Sequence, residues 1–151
     1  MTVITSTPTS TNASTSQFVT FYLGDLLLGL PIHQVQEINR HLEVTSVPQS
    51  NASLRGVINL RGDVVSVINL STILGINNSE FSAESRNVII HHEGELIGLM
   101  VDSIADILSI DQSDVVPPPA NVNGVDGRFF RGVYTTQTQL VVLLDLCETI
   151  G

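Results

Sequence analysis

The chain has 151 residues, enough for one ordinary domain or two very small ones. About 42% is apolar and only 14% is charged, a composition that can build a substantial core and excludes a disordered chain. The formal charge is −9, with six arginines and no lysine, which excludes a nucleic-acid binder because a polyanion partner needs a dense basic patch.

Residues 1–16 hold ten Ser or Thr and no charge, and read as a low-complexity, disordered tail. They have neither the basic start nor the apolar run of a secretory leader. No stretch reaches the ~20 apolar residues of a membrane-spanning helix, so a soluble, intracellular chain without membrane insertion is expected. Valine and isoleucine number 32 against five alanines, which favours strands, because β-branched side chains suit a pleated surface and lose rotamer freedom in a helix. Strands are expected over 18–23 and 26–32, joined by the two-residue turn Gly24-Asp25. A further strand or short helical turn is expected over 35–41. Strands at 56–60 and 64–70 flank Arg61-Gly62-Asp63, and both are so continuously apolar that burial of both faces is expected. Strands follow at 88–91, 96–101, 104–110, 129–135 and 140–144, with short helices at 49–54, 71–74 and 145–150.

An internal repeat organises these elements. At an offset of 69, Gly29-Leu30 meets Gly98-Leu99, Val35 meets Ile104, Glu37 meets Asp106, Ile38 meets Ile107, and Val47-Pro48 meets Val116-Pro117. At an offset of 76, Arg55-Gly56-Val57 meets Arg131-Gly132-Val133, and Asn69-Leu70 meets Asp145-Leu146. The extra seven residues fall in the Pro/Gly/Asn-rich stretch near 117–127, where a loop lengthens at little cost. Residues about 17–75 and 86–151 thus read as two copies of one β unit, forming two small barrels or sheets that can exchange strands.

Catalytic signatures are not found. His91 and His92 are neighbours on a strand and point to opposite faces, so they cannot chelate together. Cys147 stands alone, which excludes an intramolecular disulfide and a multi-cysteine zinc site, and packing is its default role. There is no Gly-rich phosphate loop, and the absence of lysine removes the usual anchor of one. No metal, no cofactor and no catalysis are expected. The hairpin tip is the most unusual segment, since an arginine held on a tight, buried hairpin is positioned; from the residues alone it reads either as a recognition residue or as an ordinary solvated turn arginine.

These residues carry a resemblance. Gly56-Val57-Ile58-Asn59-Leu60-Arg61-Gly62, followed by Val64-Val65, Val67-Ile68, Leu70 and Leu74-Gly75, resembles the signature of the CheW family of chemotaxis coupling proteins. The likeness extends through Gly29-Leu30-Pro31-Ile32 and Val35-Gln36-Glu37-Ile38 to Gly98-Leu99, Asp106-Ile107-Leu108 and Leu143-Leu144-Asp145-Leu146, so only the tail lies outside it. It implies a mainly β fold of two small five-stranded SH3-like barrels packed on a shared core, with few short helices. It also implies a cytoplasmic, non-catalytic adaptor at membrane-associated receptor arrays. Its partners would be chemoreceptor helical tips and the regulatory domain of a CheA-type histidine kinase. Arg61 matches the family arginine of the receptor-binding face. With it we place Glu37 as a polar partner and Val35, Ile38, Ile104 and Ile107 as apolar anchors of a groove between the barrels. Gly56 would permit close backbone approach. The kinase-facing residues are not assigned. Two positions depart from the family pattern: Ser66 stands where proline is usual and Asn69 where aspartate is usual. The alternatives are a coupling protein of a related array, controlling pili or another output, and a small-ligand-binding β-barrel sensor.

Overall fold

Turn chemistry and apolar alternation produce twelve strands and two short helices in the computed structural model, which describes residues 15–40, 45, 54–76 and 82–150. The first half contains β1 (Thr15–Leu23), β2 (Leu26–Pro31), β3 (Val35–Arg40), β4 (Leu54–Leu60), β5 (Asp63–Asn69) and α1 (Leu70–Leu74). The second contains β6 (Arg86–His92), β7 (Glu95–Val101), β8 (Ser103–Asp111), β9 (Asn121–Val122), β10 (Val125–Asp126), β11 (Phe130–Thr135), β12 (Leu140–Leu144) and α2 (Leu146–Ile150). β1 begins inside the segment read as a tail, since Thr15 and Ser16 pair with Asp111 and Ile110. The small β9–β10 pair lies within the stretch read as loop. Of the helix expected over 49–54, residues 49–53 lie outside the described residues and Leu54 opens β4.

Two five-stranded sheets result, with orders β11-β12-β2-β1-β8 and β3-β6-β7-β5-β4. The repeat offsets convert one order into the other, so the molecule has an internal pseudo-twofold. Each sheet takes strands from both halves of the chain. Each is antiparallel except for one parallel pairing, β12 with β2 and β5 with β7. The repeated Gly29 and Gly98 stand at those parallel crossings. A Cβ there would meet Leu143 Cδ2 at 3.2 Å and Ile89 Cδ1 at 3.3 Å, tighter than ordinary contact. Each sheet also curls toward closure. Thr45, after edge strand β3, bridges Val57 on the opposite edge, with N–O distances of 2.8 and 2.9 Å. Val116, after β8, bridges Val133 of β11 in the same way. Thr45 rather than Val47 therefore holds the position equivalent to Val116, and Val47-Pro48 lies outside the described residues. At Gly132 the backbone of this bridge comes so close that a Cβ would lie 2.9 Å from the Val116 carbonyl oxygen.

Three apolar clusters hold the fold. Phe18, Leu27, Ile110, Val141 and Leu143 fill one barrel, and Ile58, Leu60, Val65, Val67 and Ile89 fill the other. The largest cluster lies between them: Phe21, Leu23, Leu28 and Leu30 from β1 and β2 meet Val88, Ile90, Leu99 and Val101 from β6 and β7. All six residues of β2 are buried, because one face lines its barrel and the other lines the shared core. The β4–β5 hairpin differs from expectation. Only its Ile58, Leu60, Val65 and Val67 face is buried, and Val64 is 71% exposed, because nothing packs on the outer side of the hairpin tip. Cys147 is exposed instead of packed, since α2 buries Leu146 and Thr149, three positions apart.

The two departures from the family pattern fit this framework. Ser66 is exposed on β5, between Val57 of β4 and Ile97 of β7. Asn69 is the N-cap of α1, its Oδ1 accepting from the Ser71 N–H at 3.1 Å. Its repeat partner Asp145 accepts from the Glu148 N–H at 3.2 Å, so amide and carboxylate do the same work in the two copies. Asn69→Ala is expected to cost about 1 kcal/mol in urea unfolding, while Asn69→Asp leaves stability nearly unchanged.

Candidate functional site

The site is built from a strained turn and a bulged edge strand. β4 and β5 are joined by Arg61-Gly62, with φ of 52° and 92°, the two positive values of a type I′ hairpin turn. Glycine accepts that geometry freely, but a residue with a Cβ pays roughly 1 kcal/mol or more for it. The Asn59 Oδ1 accepts from the Gly62 N–H at 3.0 Å and fixes the turn. The arginine thus stands at a position where sequence propensity would favour asparagine or glycine.

Across the seam, β3 carries one extra residue against β6: Val35 pairs with Ile90, and Glu37 already pairs with Ile89. Such a bulge re-aims the side chains beside it. Gln36, the extra residue, lies 2.5 Å from the His91 Nε2 through its Oε1. Glu37 meets Arg61 in a bidentate pair: Nη1 donates to Oε1 at 2.7 Å and Nη2 donates to Oε2 at 3.0 Å. Because β3 and β4 are opposite edges of their sheet, this pair ties the hairpin tip to the other side of the barrel mouth. Arg61 remains 72% exposed while Glu37 is 18% exposed, so the guanidinium faces outward from a partly covered carboxylate.

The electrostatics follow from that contact. Hydrogen bonding to Arg61 holds the Glu37 carboxyl below the ordinary range, against the opposing effect of burial and with help from Asn39. The same bond pushes Arg61 up. Asn39 was not among the expected site residues. Its signal is the strand period, since it follows Glu37 by two residues and shares its face.

The apolar positions divide into two pairs. Val35 and Ile104 are half-buried against the shared core, at equivalent places on β3 and β8. Ile38 and Ile107 are exposed, at 39% and 56%, on the same two edge strands. Arg61, Glu37 and Ile38 are thus brought to one barrel edge, while Ile107 belongs to the edge strand of the other barrel. Gly56 does not join them. It is buried beside the bulged Arg55 with φ 151°, five residues and roughly 17 Å down the strand from the tip, where it shapes β4. The described residues contain no cluster of three His, Cys, Asp or Glu suited to a metal ion. Among the described residues, no helix is long and apolar enough to cross a membrane.

The sign of the Glu37 shift sets a test. A depressed carboxylate keeps its charge, and the pair, until the pH falls through its folded pKa below the ordinary 4.5. Carboxyl-carbon NMR should show Glu37 titrating below the exposed glutamates, and Arg61→Ala should return it toward their range.

Against known proteins, residues 17–150 match the family model described as CheW-like domain. The chain is 29% identical over 143 residues to "Chemotaxis protein CheW" of Treponema pallidum, covering 92% of this chain and 84% of that one. It is 29% identical over 137 residues to "Probable chemotaxis protein CheW" of Rhizobium etli, covering 91% and 88%. Among solved structures, the scaffolding protein TtCheW of Thermoanaerobacter tengcongensis superposes with a TM-score of 0.80 at 32% identity, covering 87% of this chain and 84% of that one. With nearly the whole described chain inside that family model, and with the fold shared, the chain belongs to the CheW-like domain family.

Proposed function

We propose that this protein is a non-catalytic adaptor that couples the helical signalling tips of chemoreceptors to a CheA-type histidine kinase, in the cytoplasm at membrane-associated arrays. The observation that carries this reading is the Arg61–Glu37 pair on a strained turn. A backbone held at positive φ on a bulky residue persists where surrounding structure and function demand it. Ile38 lies on the same edge strand as Glu37, and Ile107 holds the equivalent place on the edge strand of the other barrel, so each barrel offers an exposed apolar contact. Helix-in-groove recognition uses these same parts, in which apolar anchors supply energy and a few polar groups set the register. The relatives that match nearly end to end are named for chemotaxis, and the matching solved structure is titled a scaffolding protein.

An adaptor works by coupling two binding equilibria, so its residues act through presented surfaces. Val35 and Ile104 connect the site to the shared core and hold the two edge strands in place. Arg61 presents planar donors on one face, and Glu37 fixes its orientation so that fewer rotamers are lost on binding. The kinase-facing residues are left unassigned.

The test is affinity for a receptor cytoplasmic fragment, with the kinase regulatory domain as second partner. Arg61→Ala should weaken receptor binding by about 2 kcal/mol, roughly thirtyfold, and move the melting temperature by only a few degrees. Unchanged receptor affinity would overturn the site. Recovery of neither partner by the intact chain would overturn the adaptor reading.

A further inference from the structure

The pseudo-twofold that relates the barrels gives the Arg61–Glu37 site a counterpart in the other barrel, and the counterpart is half empty. Asp106 on β8 is the repeat equivalent of Glu37. It too lies at a bulge, since Val19 pairs with Ile107 and Phe21 with Ile104, leaving Ala105 and Asp106 opposite Thr20 alone. The Thr20 hydroxyl donates to the Asp106 carbonyl and pins that bulge. The loop between β11 and β12 replaces the Arg61-Gly62 turn with Gln137-Thr138, closed by the Thr136 N–H donating to the Gln139 carbonyl at 2.8 Å. Where one barrel has an arginine reaching back to a glutamate, the other has a glutamine, an exposed aspartate and an open cleft of about 400 Å³.

The lining fits what is missing. Leu27, Ala105 and Leu108 give the cleft an apolar floor, and Asp106 stands at its edge. The Gln139 Nε2 donates to the Tyr22 hydroxyl at 2.8 Å, which leaves the Gln139 Oε1 able to accept. An aliphatic stem on an apolar floor, ending in planar donors that meet a carboxylate and an amide oxygen, describes an arginine side chain. We propose that this cleft binds an exposed arginine of a protein partner, which supplies in trans the contact that Arg61 makes in cis in the first barrel. Protein is the source because the internal template is itself a chain-borne arginine. The lining also offers no basic side chain for the α-carboxylate of free arginine. The assignment extends the adaptor from one polar anchor to two; it takes its template from the Arg61–Glu37 contact of the first barrel, and its test reads only residues of the second.

The probe is the blocked tripeptide acetyl-Gly-Arg-Gly-amide, titrated into the full chain and followed by amide NMR. Saturable shifts are expected at Ala105, Asp106 and residues 136–139, weakened at least tenfold in Asp106→Asn and abolished in Gln137→Arg, where a cis arginine fills the cleft. The dispersed spectrum of each variant reports folding in the same experiment. No saturable shift at these amides, equal shifts with the glutamine tripeptide, or shifts that survive Asp106→Asn would overturn the cleft. Tighter binding of free L-arginine than of the blocked peptide would overturn a protein source. Loss of these shifts leaves the Arg61→Ala receptor measurement untouched, so the two readings fail separately.

Discussion

Everything in this molecule depends on the apolar contact between its two sheets. Each sheet has five strands and, among the described residues, an interior of five buried apolar residues, which is little for a barrel to stand on alone. The outward faces of β1, β2, β6 and β7 are apolar as well, and they can leave water only against each other. Burying one such side chain contributes about 1.5–3 kcal/mol, so the shared cluster of nineteen buried residues outweighs any polar contact described above. Strand exchange follows from the same demand. A barrel assembled from both halves of the chain cannot separate from its neighbour without losing strands.

That constraint decides what is left for recognition. The central strands β1, β2, β6 and β7 are used on both faces, and two of the exposed apolar residues, Ile38 and Ile107, fall at equivalent places on the edge strands β3 and β8. The bulges on those strands re-aim Glu37, which keeps its pairing with Ile89, and leave Asp106 out of the ladder. In the first barrel the mouth is spanned by Arg61, and in the second it stays open. An exposed ion pair contributes little to folding, which agrees with a pair retained for presentation. The internal repeat supplies two equivalent frames, and the residues at their mouths differ.

The fold was legible because its signals are local and doubled. Gly24-Asp25 marks a two-residue turn, Arg61-Gly62-Asp63 marks the next hairpin tip, and the repeat offsets align strands that pair in equivalent ways. Arg61 was singled out through resemblance and Glu37 as a candidate with it, but their bidentate contact was not legible, because 24 residues separate them and a bulge decides where Glu37 points. Val64 misled for a similar reason: an apolar run near a hairpin tip reads as core until the packing partner proves absent. Cys147 shows the limit of residue-type rules, since the two buried positions of α2 lie on either side of it. The open cleft beside Asp106 was invisible, because a glutamine in place of an arginine is informative only after the two barrels are superposed.

The central claim is that one recognition face draws on both barrels, held in register by the core they share. Isoleucine δ-methyl NMR during titration with a receptor cytoplasmic fragment tests it most directly. The account predicts that Ile38 and Ile107 shift together along one saturation curve, while the buried Ile58 and Ile89 stay fixed. A shift at only one of the two exposed isoleucines, or at neither while the fragment binds, would contradict it.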